Sequence, residues 1–358
     1  MNLSTRSRGR HCIFLCMAVR MKDIAKELGL SAVTISKVLS GHPDIGEETR
    51  ARVLRRVKEL NYQPSSLARS LVTGRSFLVG LIVPDLIHPF FAEVAKGLAT
   101  TIRHKGYSLI ISSSEEDPEL EATEIRQLRA RRLDALVIAS TQAHLVELDM
   151  EHDGEVFILI DRDVPGAHAH FIGIDDKAVG RIATEHLIDI GCHRIAHIRG
   201  RDNSTGLDRF EGYRVALSNR GLKYEEDLVV SRNNVDIESQ DQGAQAMQFL
   251  LDKEKRPDGV FCYNDPLAIG AMKTILAAGL RIPEDIALIG CGNLHFDDSL
   301  RVGLSSVDQH SRQIGERAGE LVLSLFASKQ KARPRSYILD PELVARDSTR
   351  RYKNSNVG

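Results

Sequence analysis

Several residues suited to binding a small molecule stand directly after short apolar runs of this 358-residue chain. They combine carboxylates, amides and a guanidinium, which can bond the hydroxyls, ring nitrogens or charged groups of a ligand. The set consists of Asp85, Asp161, Arg162, Asn264, Asp265 and Asn293. Whether these residues act together depends on the elements that carry them.

The apolar runs alternate with helical patterns, as in βαβ units. The predicted strands cover residues 77–83, 107–112, 135–140, 156–161, 171–174, 194–198, 259–262 and 287–290. The predicted helices include residues 91–104, 120–131, 180–190, 208–220, 240–251 and 268–278. These units are too many for one ordinary sheet, so the pattern predicts two α/β lobes with doubly wound parallel sheets. We expect the chain to pass between lobes near residues 173–176, near Ser305 and near Ser336.

Ligands of such sheets bind beyond the carboxyl ends of the strands. This rule places the polar set at one edge, in a cleft between the lobes. Two simpler interpretations stay open from the residues alone. Asp265 can cap the helix that follows it, and Asp161 and Arg162 can form a local ion pair.

The charge distribution indicates a second partner. The whole chain has a net charge of −1, but residues 1–76 carry 14 basic and 6 acidic side chains, a net charge of +8, which leaves −9 for the remainder. A basic head on an acidic body is typical of a protein whose head binds a polyanion.

The basic head contains a helix-turn-helix pattern. The sequence KDIAKELG predicts a short helix that Gly29 ends in a left-handed conformation. Ser31 is a suitable N-cap for a second helix over residues 32–40. A third helix over EETRARVLRRVKELNY would close the core with Val53, Leu54, Val57 and Leu60.

The outward side chains of the second helix are short or polar, which suits close approach to the DNA major groove. Ala32 and Val33 can contact thymine methyl groups. Thr34 and Ser36 can bond bases or phosphates, and Lys37 can reach guanine or a phosphate. An ordinary three-helix bundle with a polar exterior would show the same pattern and stays open as an alternative.

The next segment, PSSLARSLVTG, begins at Pro64 and predicts a helix of about two turns. Leu67, Ala68 and Leu71 lie on one face of it. Because so short a helix is marginal in water, we expect it to fold only against its symmetry mate and DNA.

Several segments resemble the lactose-repressor/purine-repressor (LacI/GalR-type) family, in order and at the expected spacing over about residues 19–350. They are KDIAKELGLSAVTISKVLSG, ETRARV, ELNYQPSSLARSL, HPFFAEV, DRFEGY and YNDPLAIGAM. The resemblance implies a transcription repressor whose second helix lies in the major groove. It implies minor-groove contacts for Ala68, Arg69 and Leu71, with Leu71 as a wedge that kinks the operator. Family members often differ at positions 32 and 37, so Ala32 and Lys37 leave the base preference open.

The resemblance also implies ligand contacts in the cleft. Phe90 and Phe91 would be pocket walls, although both can equally belong to the core. Arg209 would point into the cleft, beside the pair Asn264 and Asp265. Gly292 departs from the family, which commonly has Asp there to bond a sugar hydroxyl or a purine. A sugar-like effector is expected, but this departure puts a conventional sugar in doubt.

Sequence patterns for catalysis are missing. The chain has no G-x-S-x-G, H-E-x-x-H, G-x-x-x-x-G-K-[ST] or G-x-G-x-x-G pattern in a suitable context. We therefore expect no enzyme activity, cofactor or metal. Five scattered cysteines and the lack of a long apolar run favour a cytoplasmic protein with no membrane partner. The alternatives are a periplasmic-type solute-binding protein, which shares the two-lobed body, and an α/β enzyme fused to a DNA-binding head.

The expected organisation is an extension over residues 1–16, with Met17 as the start, followed by the helix-turn-helix domain 17–63 and the hinge helix or linker 64–76. The body covers residues 77–350 and the tail residues 351–358. In the body, lobe 1 is expected over 77–174 and 305–336, and lobe 2 over 175–304 and 337–350. No heptad repeat follows Arg351, so we expect a homodimer on a pseudo-palindromic double-stranded operator.

Overall fold

A computed structural model of the chain describes residues 19–39, 42–62, 70, 73–142, 155–233, 235–328 and 333–350. Internal contacts divide the chain into two compact units, with the division between Ser76 and Phe77. The expected extension 1–16, the tail 351–358, and Ala68, Arg69 and Leu71 lie outside the described residues.

The described part of the first unit contains helices α1 (Met21–Leu28), α2 (Ala32–Leu39) and α3 (Glu47–Glu59). Gly29 ends α1 with a φ of +65°, a conformation that costs a glycine little. The Ser31 hydroxyl accepts a hydrogen bond of 3.0 Å from the backbone N–H of Thr34 and so caps α2. Both predictions about the turn are confirmed.

Apolar residues from all three helices form one small core. Ile24, Ile35 and Val53 are fully buried there. Leu54, which we expected in the same stripe, is 47% exposed, so that prediction was wrong. Successive helix residues point about 100° apart, and Val53 already occupies the direction that faces the core.

The first lobe of the body is a six-stranded parallel sheet covered by helices on both faces. Its strands are β1 (Leu78–Val83), β2 (Ser108–Ser113), β3 (Ala135–Ile138), β4 (Val156–Ile160), β5 (His170–Ile174) and β11 (Ser336–Leu339). Their order is β11–β5–β4–β3–β1–β2. The helices are α4 (Pro89–Arg103), α5 (Pro118–Ala130) and α10 (Ser311–Ala327).

Alternation along β1 shows why the central strands are apolar on both faces. Val79 and Leu81 pack in the cluster that contains α4 and α10, and Ile82 packs with α5 on the other face. A parallel strand covered on both sides reads as a continuous apolar run, as LVGLIV does here.

The second lobe repeats this architecture. Its strands are β6 (Ile195–Arg199), β7 (Val229–Ser231), β8 (Gly259–Cys262), β9 (Ala287–Gly292), β10 (Ser305–Asp308) and β12 (Glu342–Val344), in the order β12–β10–β9–β8–β6–β7. Only β12 runs antiparallel to its neighbour in this sheet as described. The helices are α6 (Asp176–Asp189), α7 (Ser204–Asn219), α8 (Ser239–Leu251) and α9 (Asp265–Ala277).

Four helices begin at a capping side chain soon after a strand ends. Asp117, Asp175, Asn203 and Asn264 each accept a backbone N–H at the start of α5, α6, α7 and α9. Each cap satisfies donors that the first helical turn leaves unpaired. The caps therefore fix the strand-to-helix corners from which polar side chains reach the cleft.

The predicted two-lobed fold is confirmed, but two predicted passages between the lobes come too early. Residues 305–308 form β10, which pairs with β9 in the second lobe, and β11 pairs with β5 in the first. The passages expected near Ser305 and Ser336 therefore follow these strands instead of preceding them. Both strands have only four residues, SSVD and SYIL, which give little apolar signal.

No helix in the described ranges has the length and hydropathy needed to span a bilayer. Cys192, Cys262 and Cys291 are buried. Burial raises the pKa of the Cys262 and Cys291 thiols, so both behave as small apolar residues.

Candidate functional sites

The exposed face of α2 carries the residues that the sequence assigned to DNA. Val33 is 65% exposed, whereas Ile35 and Val38 on the opposite face are buried. Ser31 and Ala32 are also exposed, and Thr34, Ser36 and Lys37 are partly exposed. The Lys37 ammonium forms an ion pair of 2.8 Å with the exposed Asp44. A solvent-facing apolar side chain beside hydroxyls and an ammonium suits an interaction with base edges.

The body contains a second site, centred on Arg162. This guanidinium is 1% exposed and contacts two carboxylates: Glu116, at 2.7 Å, and Asp236. Its Nε lies 3.6 Å from Asp161. A buried charge is tolerated only when it is paired and hydrogen-bonded, so the two close carboxylates account for the burial of Arg162.

The Arg162 contacts belong to an ionic chain that joins the lobes. The first lobe supplies Arg162 and Glu116, and the second supplies Asp236 and Arg201. Arg162 bonds Asp236, and Glu116 bonds Arg201, so the chain crosses between lobes twice. A neutral bond reinforces it, because the Asp163 backbone N–H donates to the Ser204 hydroxyl at 3.0 Å.

Arg209 lies on α7 in the second lobe and is 2% exposed. Its guanidinium bonds Asp176 at 2.8 Å, the Tyr263 carbonyl at 2.6 Å and Gln309 at 2.7 Å. It also stacks on the Tyr263 ring, 4.6 Å from the centroid. Burial raises the pKa of Asp176 to about 7, although Arg209 opposes this increase. Arg209 is thus held in one orientation by Asp176, by the Tyr263 carbonyl and by Gln309.

Asp161 contributes a buried carboxylate whose loss of hydration is only partly offset by nearby positive charges. It is 5% exposed, and its backbone has a φ of +62°, which is uncommon for a residue other than glycine. Burial raises the pKa of Asp161 to about 6, while Arg162 and Arg209 lower it. Local strain and a desolvated carboxylate are common at binding sites.

Asn264 connects a helix cap to the cleft. Its Oδ1 accepts the Leu267 N–H at 2.9 Å, and its Nδ2 donates to the Val235 carbonyl at 3.0 Å. The same Nδ2 lies 3.3 Å from Nε2 of His88, in the first lobe, and 3.2 Å from Asp236. The cap at this corner is therefore Asn264, and the interpretation of Asp265 as the cap is wrong.

Asp265 and Asn293 bond residues of the second lobe. The Asp265 carboxylate accepts the Ser306 hydroxyl at 2.7 and 2.9 Å. The Asn293 amide donates to Asp308 at 2.9 Å and accepts from Arg346 at 2.6 Å. Neither side chain has a described hydrogen bond to Arg162 or Arg209, so the structure does not bring them into the same network.

Gly292 leaves space that the Asp265 carboxylate occupies. A Cβ at Gly292 would lie 2.7 Å from Oδ2 of Asp265, and the glycine has a φ of +143°. Asp297 adjoins Asp265, and burial together with the Asp265 charge raises the pKa of Asp297. The protonated form of Asp297 is therefore favoured beside the Asp265 carboxylate.

Phe90 and Phe91 are each 3% exposed and belong to the core of the first lobe. Their rings meet edge to face, with centroids 5.0 Å apart. The Phe91 ring also lies 5.5 Å from the His88 ring. Phe91 therefore packs against His88, and neither phenylalanine lines the cavity between the lobes.

That cavity has a volume of about 450 Å³. Its first-lobe wall comprises residues 85 and 87–89, and its second-lobe wall comprises residues 236–241 with Pro266, Ile269 and Phe296. A cavity of this size between two lobes can enclose a small polar molecule.

Comparisons with known proteins identify the family. Residues 20–65 match the model of bacterial regulatory proteins of the lacI family, and residues 184–349 match the periplasmic binding protein-like domain. A ribose operon repressor from Halalkalibacterium halodurans is 31% identical over 336 residues, covering 94% of this chain and 98% of that protein. A PurR repressor from Vibrio cholerae is 31% identical over 333 residues, with 92% and 98% covered.

The chain belongs to the LacI family.

Solved structures agree with this assignment. A transcriptional regulator CelR–cellobiose complex has a TM-score of 0.69 and 26% identity, covering 92% of this chain and 99% of that chain. The Lac repressor dimer bound to operator and the anti-inducer ONPF has a TM-score of 0.80 at 22% identity, with 92% and 99% covered, and so shows the shared fold. The predictions of family, fold class and a DNA-binding transcriptional repressor in place of an enzyme are confirmed.

Sequence reasoning missed several members of the LacI-family cleft in this chain. Glu116 follows the predicted strand at 107–112 and could have been found by the same strand-end rule that selected Asp85. Asp236 follows β7, which has only three residues and gives no reliable strand signal. His88 lies within HPFFAEV, where the family resemblance implicates only the two phenylalanines.

Proposed function

We propose that this LacI-family repressor binds double-stranded, pseudo-palindromic operator DNA as a homodimer, with α2 in the major groove, and that a small molecule between its lobes controls DNA affinity. The exposed face of α2 carries the first part of this proposal, because Val33 is 65% exposed on a helix whose other face forms the core. An apolar side chain in that position has a partner in the thymine methyl group.

The proposed DNA contacts have distinct roles. Ala32 and Val33 provide apolar contacts to bases, and Thr34 and Ser36 provide hydroxyls for bases or phosphates. Lys37 exchanges Asp44 for a phosphate or guanine, and Ser31 caps the helix that approaches the groove. By the family resemblance, Ala68, Arg69 and Leu71 contact the minor groove.

The effector binds in the cleft between the lobes. Arg209 and Asp161 are buried, and Arg162 and Asn264 lie in the network that joins the lobes. None of the four lines the cavity of about 450 Å³, so a ligand there acts on them through the closure of the lobes. A relative of known structure binds cellobiose, as its description states, which supports a sugar-like effector here. Because the ionic chain spans the lobes, a ligand that exchanges contacts with it changes the free energy of lobe closure.

The homodimer is supported by an apolar groove on the first lobe. The groove has a volume of about 590 Å³ and lies between α4 and the edge strand β2. Phe91, Ala95, Leu109 and Ile111 are among its lining residues. An exposed apolar edge of this size is typical of a subunit contact. Binding to chromosomal DNA places the repressor in the cytoplasm.

A single substitution on α2 tests the DNA assignment. We expect Val33→Glu to lower affinity for an operator selected from a random DNA library by at least about tenfold, because a carboxylate replaces an apolar contact near phosphates. Fluorescence anisotropy at fixed salt measures this affinity.

Leu54→Glu is the matched control, since Leu54 is an exposed apolar residue on α3 of the same unit. We expect this variant to bind the operator much as the unmodified protein does. Equal affinities for both variants, with thermal unfolding unchanged, would show that α2 is not the recognition helix.

A further inference from the structure

The cavity between the lobes is strongly acidic. Asp85 contributes to its first-lobe wall, and Asp236, Glu238 and Asp241 contribute to the opposite wall. No lysine or arginine from the described ranges lines it. A ligand that enters the cavity therefore meets negative charge from both lobes.

Nearby arginines do not neutralise this charge. Arg162 is paired with Glu116 and Asp236, and Arg209 is paired with Asp176. Asp85 accepts only the backbone N–H of Ile87, at 2.9 Å, among the described contacts. Glu238 and Asp241 likewise form no ion pair within the described part of the chain, so three carboxylates remain without a cationic partner.

The N-terminus of α8 reduces the excess negative charge of the cavity without removing it. Glu238 is the N-cap of α8, and Asp241 lies in its first turn. A helix N-terminus has a partial positive charge of about half a unit. That is smaller than the charge of the two carboxylates placed there, and Asp85 on the other wall is not affected by it directly.

His88 supplies an independent indication of a ligand. Its ring lines the cavity and is 6% exposed. The Asn264 amide orientation is fixed, because its oxygen accepts the Leu267 N–H and its nitrogen donates to the Val235 carbonyl. That nitrogen also lies 3.3 Å from Nε2 of His88 and 3.2 Å from Asp236, and Nε2 itself lies 3.6 Å from the Asp236 carboxylate.

The His88 ring is neutral, and one of its nitrogens is not hydrogen-bonded. Burial lowers the pKa of His88 to about 4, so near pH 7 the ring carries a single proton. Nδ1 is buried and has no hydrogen-bond partner among the described residues. A buried polar atom without a partner is costly, and a ligand hydroxyl, which can donate or accept, would pair with Nδ1 in either tautomer.

The remaining wall is mostly apolar, apart from Ser239 and Gln240. Ile237, Ile269 and Phe296 line the second-lobe side, and Ile87 stands at the first-lobe side with 87% of its surface exposed. These apolar side chains can contact a hydrocarbon skeleton. The chemical requirement is therefore a small molecule with a positive charge, a hydroxyl group and an apolar face.

We propose that the effector is an organic amine with a hydroxyl group, of which an amino sugar is the simplest example. Its ammonium group lies against Asp85 and the carboxylates of the opposite wall, and its hydroxyl pairs with Nδ1 of His88. This inference rests on the proposed function, since it names the chemical class of the molecule that occupies the cleft.

Matched ligands test the requirement for charge. The full-length protein is mixed with glucosamine, galactosamine and mannosamine, with their N-acetyl derivatives, with the parent neutral sugars, and with the corresponding sugar acids. Isothermal titration measures binding, and operator affinity is measured in the same samples. We expect at least one amine to bind at least tenfold more tightly than its N-acetyl and neutral counterparts.

Variants then locate the binding. Asp85→Asn should weaken amine binding at least tenfold, and Asp241→Asn, at the exposed rim, should weaken it by a smaller factor while avoiding any folding defect. Glu320→Gln removes an exposed carboxylate on α10 and should leave amine binding unchanged. Equal losses in Glu320→Gln and Asp85→Asn would overturn the assignment of the site.

The outcomes separate this inference from the proposed function. If no amine binds, or if a neutral sugar or sugar acid binds as tightly, the inference of a cationic effector is wrong. If such a neutral or acidic compound also changes operator affinity, the proposed function stands without it. If an amine binds through Asp85 but operator affinity is constant, the ligand class is right and control of DNA binding fails.

Discussion

At the scale of single residues, the cleft depends on protonation states set by burial. His88 is buried and neutral in the folded chain, with a pKa of about 4 compared with an ordinary value of 6.5. Asp161 shows the opposite behaviour, with a pKa raised by burial to about 6 from 3.8. Folding therefore couples to protons in opposite senses at these two buried positions.

This coupling predicts the pH dependence of a His88→Asn variant. As the pH falls from 6.5 to 4, the unfolded chain protonates His88 but the folded chain does not, so the free energy of unfolding of the unmodified protein decreases. The variant lacks this loss. Between pH 7.5 and pH 4, the free energy of unfolding of the variant should therefore rise relative to that of the unmodified protein by on the order of 3 kcal/mol. Urea unfolding followed by circular dichroism measures this difference.

Asp161→Asn provides the control of opposite sign. The folded unmodified protein binds a proton at Asp161 between pH 6 and 3.8, which stabilises it as the pH falls. The Asp161→Asn variant lacks this stabilisation, so its free energy of unfolding falls relative to that of the unmodified protein as the pH decreases. Parallel pH curves for His88→Asn and the unmodified protein would contradict the neutral, buried state of His88.

Local rules explain which residues could be predicted. Gly29 and Ser31 were predicted correctly because a helix end and a cap depend on neighbours in the chain. Asp236 could not be found, since its significance comes from Arg162, which lies 74 positions away in the other lobe. Arg209 was suggested by family resemblance alone, as pairing with Asp176, Tyr263 and Gln309 appears only in the folded chain.

At the scale of elements, three helix pairs cross with a glycine on each helix. The pairs are Gly97 with Gly315, Gly180 with Gly212, and Gly243 with Gly270. At each of these positions a Cβ would lie within 2.4 Å of a backbone oxygen on the partner helix. The missing side chains allow the backbones to approach closely, which no substituted residue permits without separating the helices.

The crossing of α6 and α7 predicts a stability cost for Gly180→Ala. The new Cβ would lie 1.9 Å from the Arg209 carbonyl oxygen, so the helices must move apart. We expect a loss on the order of 2 kcal/mol in urea unfolding. Because Arg209 lies at this contact, effector affinity should decrease as well.

Double variants test whether the crossing acts as a unit. Gly180→Ala combined with Gly212→Ala should cost less than the sum of the two, since one separation relieves both contacts. Gly180→Ala combined with Gly97→Ala, in the other lobe, should be additive. An additive result for the first pair would mean that the two glycines do not share one constraint.

The predicted elements succeeded where apolar runs were long enough. The buried strands β1, β4, β6 and β8 each show an aliphatic run that needs no tertiary information. The short strands β7 and β12 have three residues each and exist because a neighbouring strand pairs with them. Such long-range pairing leaves little trace in the sequence.

At the scale of the whole molecule, the ionic chain stabilises the closed arrangement of the body through charged residues from both lobes. Glu116 and Arg162 alternate with Asp236 and Arg201 in sign, so each lobe presents one charge of each kind to the other. Separation of the lobes would expose these charges to water and remove the mutual contacts. A ligand can therefore shift the balance by exchanging contacts with one member of the chain.

Assembly of two chains gives the last prediction, on the groove between α4 and β2. Ile111 lies on the edge strand β2 and is 41% exposed, and Ile338 lies on β11 at the opposite edge of the same sheet and is 51% exposed. If a second copy covers the groove, Ile111→Lys should bury an unpaired ammonium and dissociate the dimer. Sedimentation equilibrium should then show monomers at micromolar concentration, and operator affinity should fall by at least about tenfold because each chain reaches only one half-site.

Ile338→Lys makes the same chemical change outside the groove and should remain dimeric with full affinity. A dimeric Ile111→Lys protein would place the subunit contact elsewhere, whereas dissociation of Ile111→Lys alone would assign it to α4 and β2.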